Sequence, residues 1–311
     1  MLILVRMFQV VEGRLLIKMK RLAVMLAVVV AAFLTPTTQA LEAPNSTTPC
    51  GVTTTAPAYT KWVVIVMENH SRSQTVGNMP YLDTVRNKCG DATNMTAEQH
   101  PSLGNYLYMT AGDNDGITTD CSPSTSCQSN LPSIFTQVSN WTFAESMGSN
   151  CRKTNTGEYV VRHNPETYFT QAAADCATDN VDLDSKLATK IANGTLRKFN
   201  FIVPNLLDDM HDGTIAQADT WLSQWLPTIL DGPDYNAGNT AVVVTWDEPA
   251  TSAPLTTPIE TVVIAPSVPL GKDASTAFNH CSMLKTIELE LGKSQLGCAA
   301  TASSWRAAFN L

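Results

Sequence analysis

This 311-residue sequence lacks several things, and each shortage narrows the functions open to it. Its eight cysteines include no CxxC pair, which argues against a thiolate zinc site. It has no basic excess: 20 Lys and Arg stand against 28 Asp and Glu, a formal charge of −8, so there is no electrostatic footprint for nucleic acid. It has no internal repeat and no interdomain linker, and its length suits one domain. Its main apolar run, at 22–34, is too short for a comfortable membrane span. Histidine is scarce too, with only five in the chain.

What is present begins with an export pattern. Lys18, Lys20 and Arg21 precede the apolar run, and Thr38-Gln39-Ala40 resembles a small-residue cleavage site. Together they predict a secretory signal peptide over 1–40, with Met19 as an alternative start and a membrane anchor as the lesser reading. Its removal takes away five basic residues and one acid, so the formal charge falls from −8 to −12. Such a chain repels anions unless something local reverses the field. Export and an even number of cysteines predict disulfides, with Cys121–Cys127 and Cys281–Cys298 as the tempting pairs. Asn45, Asn94, Asn140 and Asn193 head glycosylation sequons, which matter only in a host that uses them.

Residues 41–60, rich in Thr, Pro and Ala, read as a mobile lead-in to a single domain over 61–311. Strand-length apolar runs then fall at 61–67, 141–145, 198–204, 240–246 and 260–265. They are continuous rather than alternating, which suits strands buried on both faces. Helical patterns occupy 103–111, 132–139, 184–193, 214–230 and 282–291. In the fourth, Ala218, Trp221, Leu222, Trp225 and Ile229 form one stripe, and Pro227 is expected to kink or end the helix. The alternation predicts an α/β fold, a mostly parallel central sheet with helices on both faces.

Ligands of such sheets bind outside the carboxyl ends of the strands. Those ends are rich in acids and imidazoles. "VVIVM" runs into Glu68-Asn69-His70, 141–144 into Glu145-Ser146, 198–204 into "NLLDDMHDG", and 240–246 into Asp247-Glu248. Crowded carboxyls titrate high unless a cation sits among them. Oxygen and imidazole together suit a divalent metal such as zinc, manganese, calcium or iron. Any one of these acids would be unremarkable as a helix cap or a solvated loop residue; the repetition at successive strand ends is the signal. The histidines, His70, His100, His163, His211 and His280, all lie in short polar stretches, and three or more are expected to share one site. Ser102, in "EQHPSLGNYLYMTAG", is placed as an N-cap, where a helix N-terminus also stabilises an anion. A serine at such a place, beside a metal, is a good attacker of phosphorus.

The segments "VVIVMENHS", "HPSLGNYL", "FAESM", "YVVRHNP", "FIVPNLLDDMHDG", "VVVTWDE" and "NHCSMLKTIE" occur in the order seen in the secreted bacterial and fungal phosphoesterase family. That family includes acid phosphatases and phospholipases C and is similar in fold to the alkaline phosphatase superfamily; the resemblance spans about 61–291. It implies a metal- or phosphate-binding pair in Glu68 and Asn69, a nucleophile in Ser102, and a metal-closing acidic pair in Asp247 and Glu248. His211, Asp212 and His280 fall where the superfamily holds a second metal or phosphate, and His100 and His163 match active-site histidines. One departure stands out: the family usually has proline where this chain has Gly104. The function implied is a secreted phosphomonoesterase with one or two divalent metals, acting on phosphate esters through a phosphoserine. A phosphodiesterase or phospholipase C and a non-catalytic metal- or phosphate-binding protein are the rivals. Metal identity, natural substrate and oligomeric state are left open.

Overall fold

Val, Ile and aromatic side chains dominate the strand candidates because branched and flat side chains fit a pleated surface between two covering layers. The computed structural model describes residues 42–311 and organises them around that sheet. The expected signal peptide over 1–40 lies outside the described residues.

Ten strands are formed: β1 (Lys61–Met67), β2 (Gly90–Ala92), β3 (Met95–Thr96), β4 (Asn140–Ala144), β5 (Asn180–Asp182), β6 (Phe199–Val203), β7 (Thr240–Trp246), β8 (Thr261–Ile264), β9 (Lys272–Ala274) and β10 (Phe278–Asn279). Eight make the central sheet in the order β5-β4-β6-β1-β7-β8-β2-β9, while β10 and β3 pair separately. From β5 across to β7 all pairings are parallel; β8 runs against both of its neighbours. Among the described residues five helices have nine residues or more: α1 (Pro80–Lys88), α2 (Ser102–Ala111), α3 (Leu183–Ala192), α4 (Ile215–Leu230) and α5 (His280–Glu290). α4 packs with α1 and α3, and α2 packs with α5. Trp62 to Met67 and all of β7 are buried on both faces, as a sheet covered on each side requires. The fold is the expected α/β class.

The strands foreseen at 61–67 and 240–246 form with those limits, and three others form within a residue or two of theirs. The two- and three-residue strands β2, β3, β5, β9 and β10 were not foreseen. Several differences have physical reasons. The helix pattern at 132–139 shrinks to a single turn at Ile134–Gln137. Ser102 is the first helical residue rather than the N-cap; Pro101 holds the cap position, after a cis His100–Pro101 bond. Pro227 neither ends nor breaks α4, which continues to Leu230. It lies in the last turn, where burial of Leu226, Ile229 and Leu230 offsets one lost backbone bond.

Residues 42–60 carry no helix or strand, yet the lead-in expected to be mobile is pinned. Cys50 is joined to Cys89 at the end of α1, Ser46 is hydrogen-bonded to Asp231, and Tyr59 is buried against Ser267. The other disulfides are Cys121–Cys127, Cys151–Cys176 and Cys281–Cys298. No helix among the described residues is long and apolar enough to cross a membrane.

The stripe on α4 anchors that helix, and Leu222 in it is fully buried. Leu222→Ala should therefore cost about 2–5 kcal/mol, the range for deleting a close-packed leucine side chain. Guanidinium unfolding measures it; an unmoved midpoint would mean that α4 is not locked to the core.

Candidate active site

The carboxyl ends of β1 and β7 are side by side because the register sets Met67 opposite Trp246. The next residue on each strand, Glu68 and Asp247, is thus delivered to the same rim. Two bonds fasten the junction: Asp247 N–H donates to the Met67 backbone O at 2.9 Å, and Asn69 N–H to the Asp247 side chain, Oδ1, at 3.1 Å. On the other side of β1, Glu68 N–H donates to Asp209 O at 2.9 Å, tying in the loop that leaves β6. The chain must turn sharply here. Asn69 and Met210 both take left-handed backbone (φ 44° and 70°), strained for a methionine and tolerated by an asparagine. The β6 loop folds back so closely that a Cβ on Gly213 would lie 1.8 Å from Leu207 O, so only glycine fits there.

α2 enters this rim by its N-terminus. Ser102 Oγ donates to Glu68 Oε2 at 3.1 Å, and one turn further Tyr106 donates its hydroxyl to Glu68 Oε1 at 2.6 Å. Asn105 Nδ2 reaches Glu248 Oε2 at 3.3 Å, whose same oxygen lies 3.1 Å from His100 Nδ1. The Tyr106 ring stacks on His163 with centroids 5.3 Å apart. His163 sits between two acids, Nε2 3.2 Å from Glu68 Oε1 and Nδ1 3.2 Å from Asp209 Oδ2. Neither nitrogen has the alignment of a hydrogen bond, although both are buried. Gly104, where the family pattern has proline, leaves room for Gln99: a Cβ there would lie 1.8 Å from Gln99 Nε2. Gln99 in turn accepts from Asn114, so the side chain fills the gap.

Four carboxyls are thereby buried together. Burial pushes Glu68 well above the usual carboxylate range, with Asp247 and Asp209 adding repulsion. Burial does the same to Asp209, against a hydrogen bond from His211 N–H. Asp247 is pushed up to about 6 by burial, against donors from Asn69 and Ser102. Glu248 is pushed up to about 9 by burial and by Asp247. His163 is driven well below the ordinary imidazole range by burial, with Arg162 and His211 adding to it. The short distances around His163 would suggest ion pairs, but its poor alignment and full burial favour a neutral ring.

These groups fit a cation. Asp247 Oδ2, Asp209 Oδ2 and both His163 nitrogens are buried without partners. Ligand atoms of Glu68, His163 and Asp209 lie within 4.8 Å of one another. The outer atoms of the Asn69 amide are equally telling. One of them lies 3.0 Å from Glu248 Oε1 and 3.2 Å from Glu68 Oε2. If it is nitrogen, Asn69 donates to both acids; if it is oxygen, three oxygens converge and only a cation holds them together. Glu68, Asn69, Asp247 and Glu248 would hold one divalent ion, and Glu68, His163 and Asp209 a second.

Not every expected site residue joins them. Asp212 is 53% exposed and turned to His211 Nδ1, so Asp209 replaces it as the acid of that loop. His280 is fully buried, its Nε2 hydrogen-bonded to Trp246 O at 3.0 Å and its Nδ1 in a 2.7 Å charge contact with Glu98 Oε2 that lacks hydrogen-bond alignment. Burial lowers its pKa, but Glu98 and the Trp246 carbonyl together raise it above the ordinary value. It braces the strand end carrying Asp247 and does not face a substrate. His211 is half-buried at the mouth, its Nε2 3.2 Å from an Arg162 nitrogen. His70 is bonded to Glu68 O and steadies the turn. Tyr106, Asn105 and Asp209 were not singled out from the sequence. A polar residue one helical turn beyond Ser102 was the available signal for the first two.

The raised carboxyls have a consequence for the metal-free protein. Groups whose folded pKa lies above the unfolded value stabilise the fold below about pH 4, and that stability drains away as pH rises through the folded values. Without metal, Tm should therefore fall between about pH 5 and 9, the span set by Asp247 near 6 and Glu248 near 9. A divalent cation should restore it by binding the ionised form. Thermal unfolding with and without a chelator across that range checks this; a Tm indifferent to both would remove the cation from the site.

Known proteins share this arrangement of sequence and fold. The family model "Phosphoesterase family" matches residues 91–292. A phosphatidylinositol-3-phosphatase of Mycobacterium tuberculosis is 30% identical over 79% of this chain and 81% of its own length. A probable acid phosphatase of Kluyveromyces lactis is 25% identical over 77% of this chain, which spans only 60% of that relative. A Vibrio parahaemolyticus protein of the alkaline phosphatase superfamily superposes with a TM-score of 0.52 over 81% of this chain and 69% of its own, at 15% identity, a likeness of fold alone. With its rim of buried acids set on an alkaline phosphatase-like sheet, the chain belongs to the Phosphoesterase family.

Proposed function

We propose that this chain is a metal-assisted phosphomonoesterase in which Ser102 is the nucleophile and a phosphoserine the intermediate. The coarser statement, a hydrolase of phosphoric esters, follows from its family. The observation that carries the finer one is the bond from Ser102 Oγ to Glu68 Oε2, at the N-terminus of a buried helix and inside a ring of acids. Both curated relatives are named as phosphatases, which favours monoesters over diesters.

A bound divalent cation would neutralise phosphate charge and favour the ionised serine, which answers the repulsion expected from so acidic a chain. The protein's own groups do the rest. Ser102 Oγ loses its proton to solvent and attacks phosphorus, its contact with Glu68 Oε2 having set its position. The P–O bond to the leaving group breaks, and the departing oxygen takes a proton from the Nδ1–H of His211, whose Nε2 accepts from Arg162. Water then attacks the phosphorus, giving a proton back to His211 Nδ1, and the bond to Ser102 Oγ breaks as that oxygen takes a proton from solvent. The start of α2 and the Arg162 guanidinium both face Asp120, whose Oδ1 accepts from Leu103 N–H at 3.0 Å and whose Oδ2 lies 3.6 Å from Arg162 Nε, so a phosphate would gain these donors by displacing that carboxylate. Tyr106 fixes the Glu68 carboxyl from the side away from Ser102. Four disulfides support an oxidising, extracytoplasmic location.

Ser102→Ala should lower kcat/KM for p-nitrophenyl phosphate by about a thousandfold or more, as loss of a nucleophile does elsewhere. Unchanged phosphate release would exclude the serine. Dialysis against a chelator should abolish turnover, and faster hydrolysis of the bis-ester than of the monoester would point to a phosphodiesterase instead.

A further inference from the structure

The rim holds a second concavity that the chemistry above does not use. A cavity of about 550 Å³ opens between α3 and α4, at the carboxyl end of β4. That volume is within the range of small-molecule sites. Its walls include the indoles of Trp221 and Trp225, whose centroids are 6.2 Å apart at 47°. Its acids come from three different segments: Glu145 after β4, Asp184 in the first turn of α3, and Asp208 in the β6 loop.

No Lys or Arg lines the cavity. Glu145 is buried and held rigidly, accepting from Trp221 Nε1 and from Asn205 N–H, each at 2.9 Å. Those donors are neutral and leave its charge without a counter-charge. Burial drives its carboxyl up to about 7, and Asp208 and Asp184 add repulsion. The cavity is open to solvent, with Asp184 exposed, Asp208 half-buried and only Glu145 buried, and three acids without a basic residue give it a negative field that favours a cation. A metal ion is a poor fit, because among the described residues only Glu68, His163 and Asp209 bring acid and imidazole ligand atoms within coordinating reach. An organic ammonium is a good fit: Trp221 and Trp225 put aromatic surface beside the acids, so one ligand can meet both its charge and its apolar part there, and its bulk matches the space.

We propose that this cavity binds an organic ammonium group. Its position gives the binding a purpose, on the strength of the function proposed above. Asp208 and Asp209 are consecutive in one loop, the first lining the cavity and the second the metal cluster. β4 is separated from β1 by β6 alone, a lateral step of about 10 Å at ordinary strand spacing. A phosphate ester whose leaving group ends in an amine could span both. The same ammonium chemistry could also arrive as a free amine.

The test uses the full chain. Calorimetry with butylammonium and with butanol, its uncharged counterpart, should show at least tenfold tighter binding of the ammonium. Trp225→Ala and Asp184→Asn, both outside the catalytic cluster, should each weaken it tenfold. Equal binding of the alcohol, which would make the cavity a plain apolar slot, would overturn the proposal, as would binding indifferent to both substitutions or no binding at all. Kinetics separate the two sources. If the ammonium belongs to the substrate, kcat/KM for aminohexyl phosphate exceeds that for hexyl phosphate, and Trp225→Ala erases the difference without changing p-nitrophenyl phosphate hydrolysis. If it is a separate ligand, the two esters react alike while calorimetry still shows the charged probe binding. Failure of the phosphatase assignment would appear independently, as no hydrolysis of any of the esters.

Discussion

Repulsion among four buried carboxyls is the constraint around which this molecule is built. Glu68, Asp209, Asp247 and Glu248 would drift apart in a loose loop, yet here they are held by the least compliant part of the protein. Strand register does the holding. Because β1 is bonded to β7 on one side and β6 on the other, the acids after those strands have no freedom to separate. A slip of one residue would turn the buried faces outward, so the hydrophobic core itself guards the geometry. Bringing like charges together in this way creates a demand for positive charge or for protons.

Around this centre lies a layer of groups that fix others rather than react. His280 joins Glu98 to the carbonyl of Trp246, just ahead of Asp247. Cys281, next in sequence, is bound to Cys298, which secures the start of α5 where that histidine sits. From the opposite side Tyr106 and Asn105 each grip one acid from a single turn of α2. Ser102 is thus presented by a helix whose own neighbours hold the carboxyls that receive it.

Much of this was legible in the sequence, for reasons that can be stated. Long, doubly buried strands such as 61–67 and 240–246 have to be continuous in apolar residues, so their limits and the polar residues beyond them are visible. Short strands such as β5 or β9 have no such pattern; they exist because neighbours supply hydrogen bonds, which is tertiary information. The same limit explains the site. Glu68, Asp247 and Ser102 could be named from strand ends and a helix start. The choice between Asp209 and Asp212 depends on which way a left-handed turn at Met210 throws each side chain, and a five-residue stretch with three aspartates, "DDMHD", conceals it. His280 looked reactive because it was polar and rare; only packing reveals that one of its nitrogens is hydrogen-bonded and the other set against Glu98. Pro227 misled in the opposite direction, since a helix-breaking residue is harmless where little helix remains.

The β6 excursion from Asn205 to Gly213 is closed on itself, with the amides of Asp212 and Gly213 both returning to Leu206 O. Its closure is self-contained, but Asp209 within it is tied to Glu68 N–H through its carbonyl and belongs to the acid cluster, so the excursion has a fixed inner side and a free outer one. Leu207 and Asp208, exposed and half-buried, are the positions where lineages could vary the loop without disturbing that cluster.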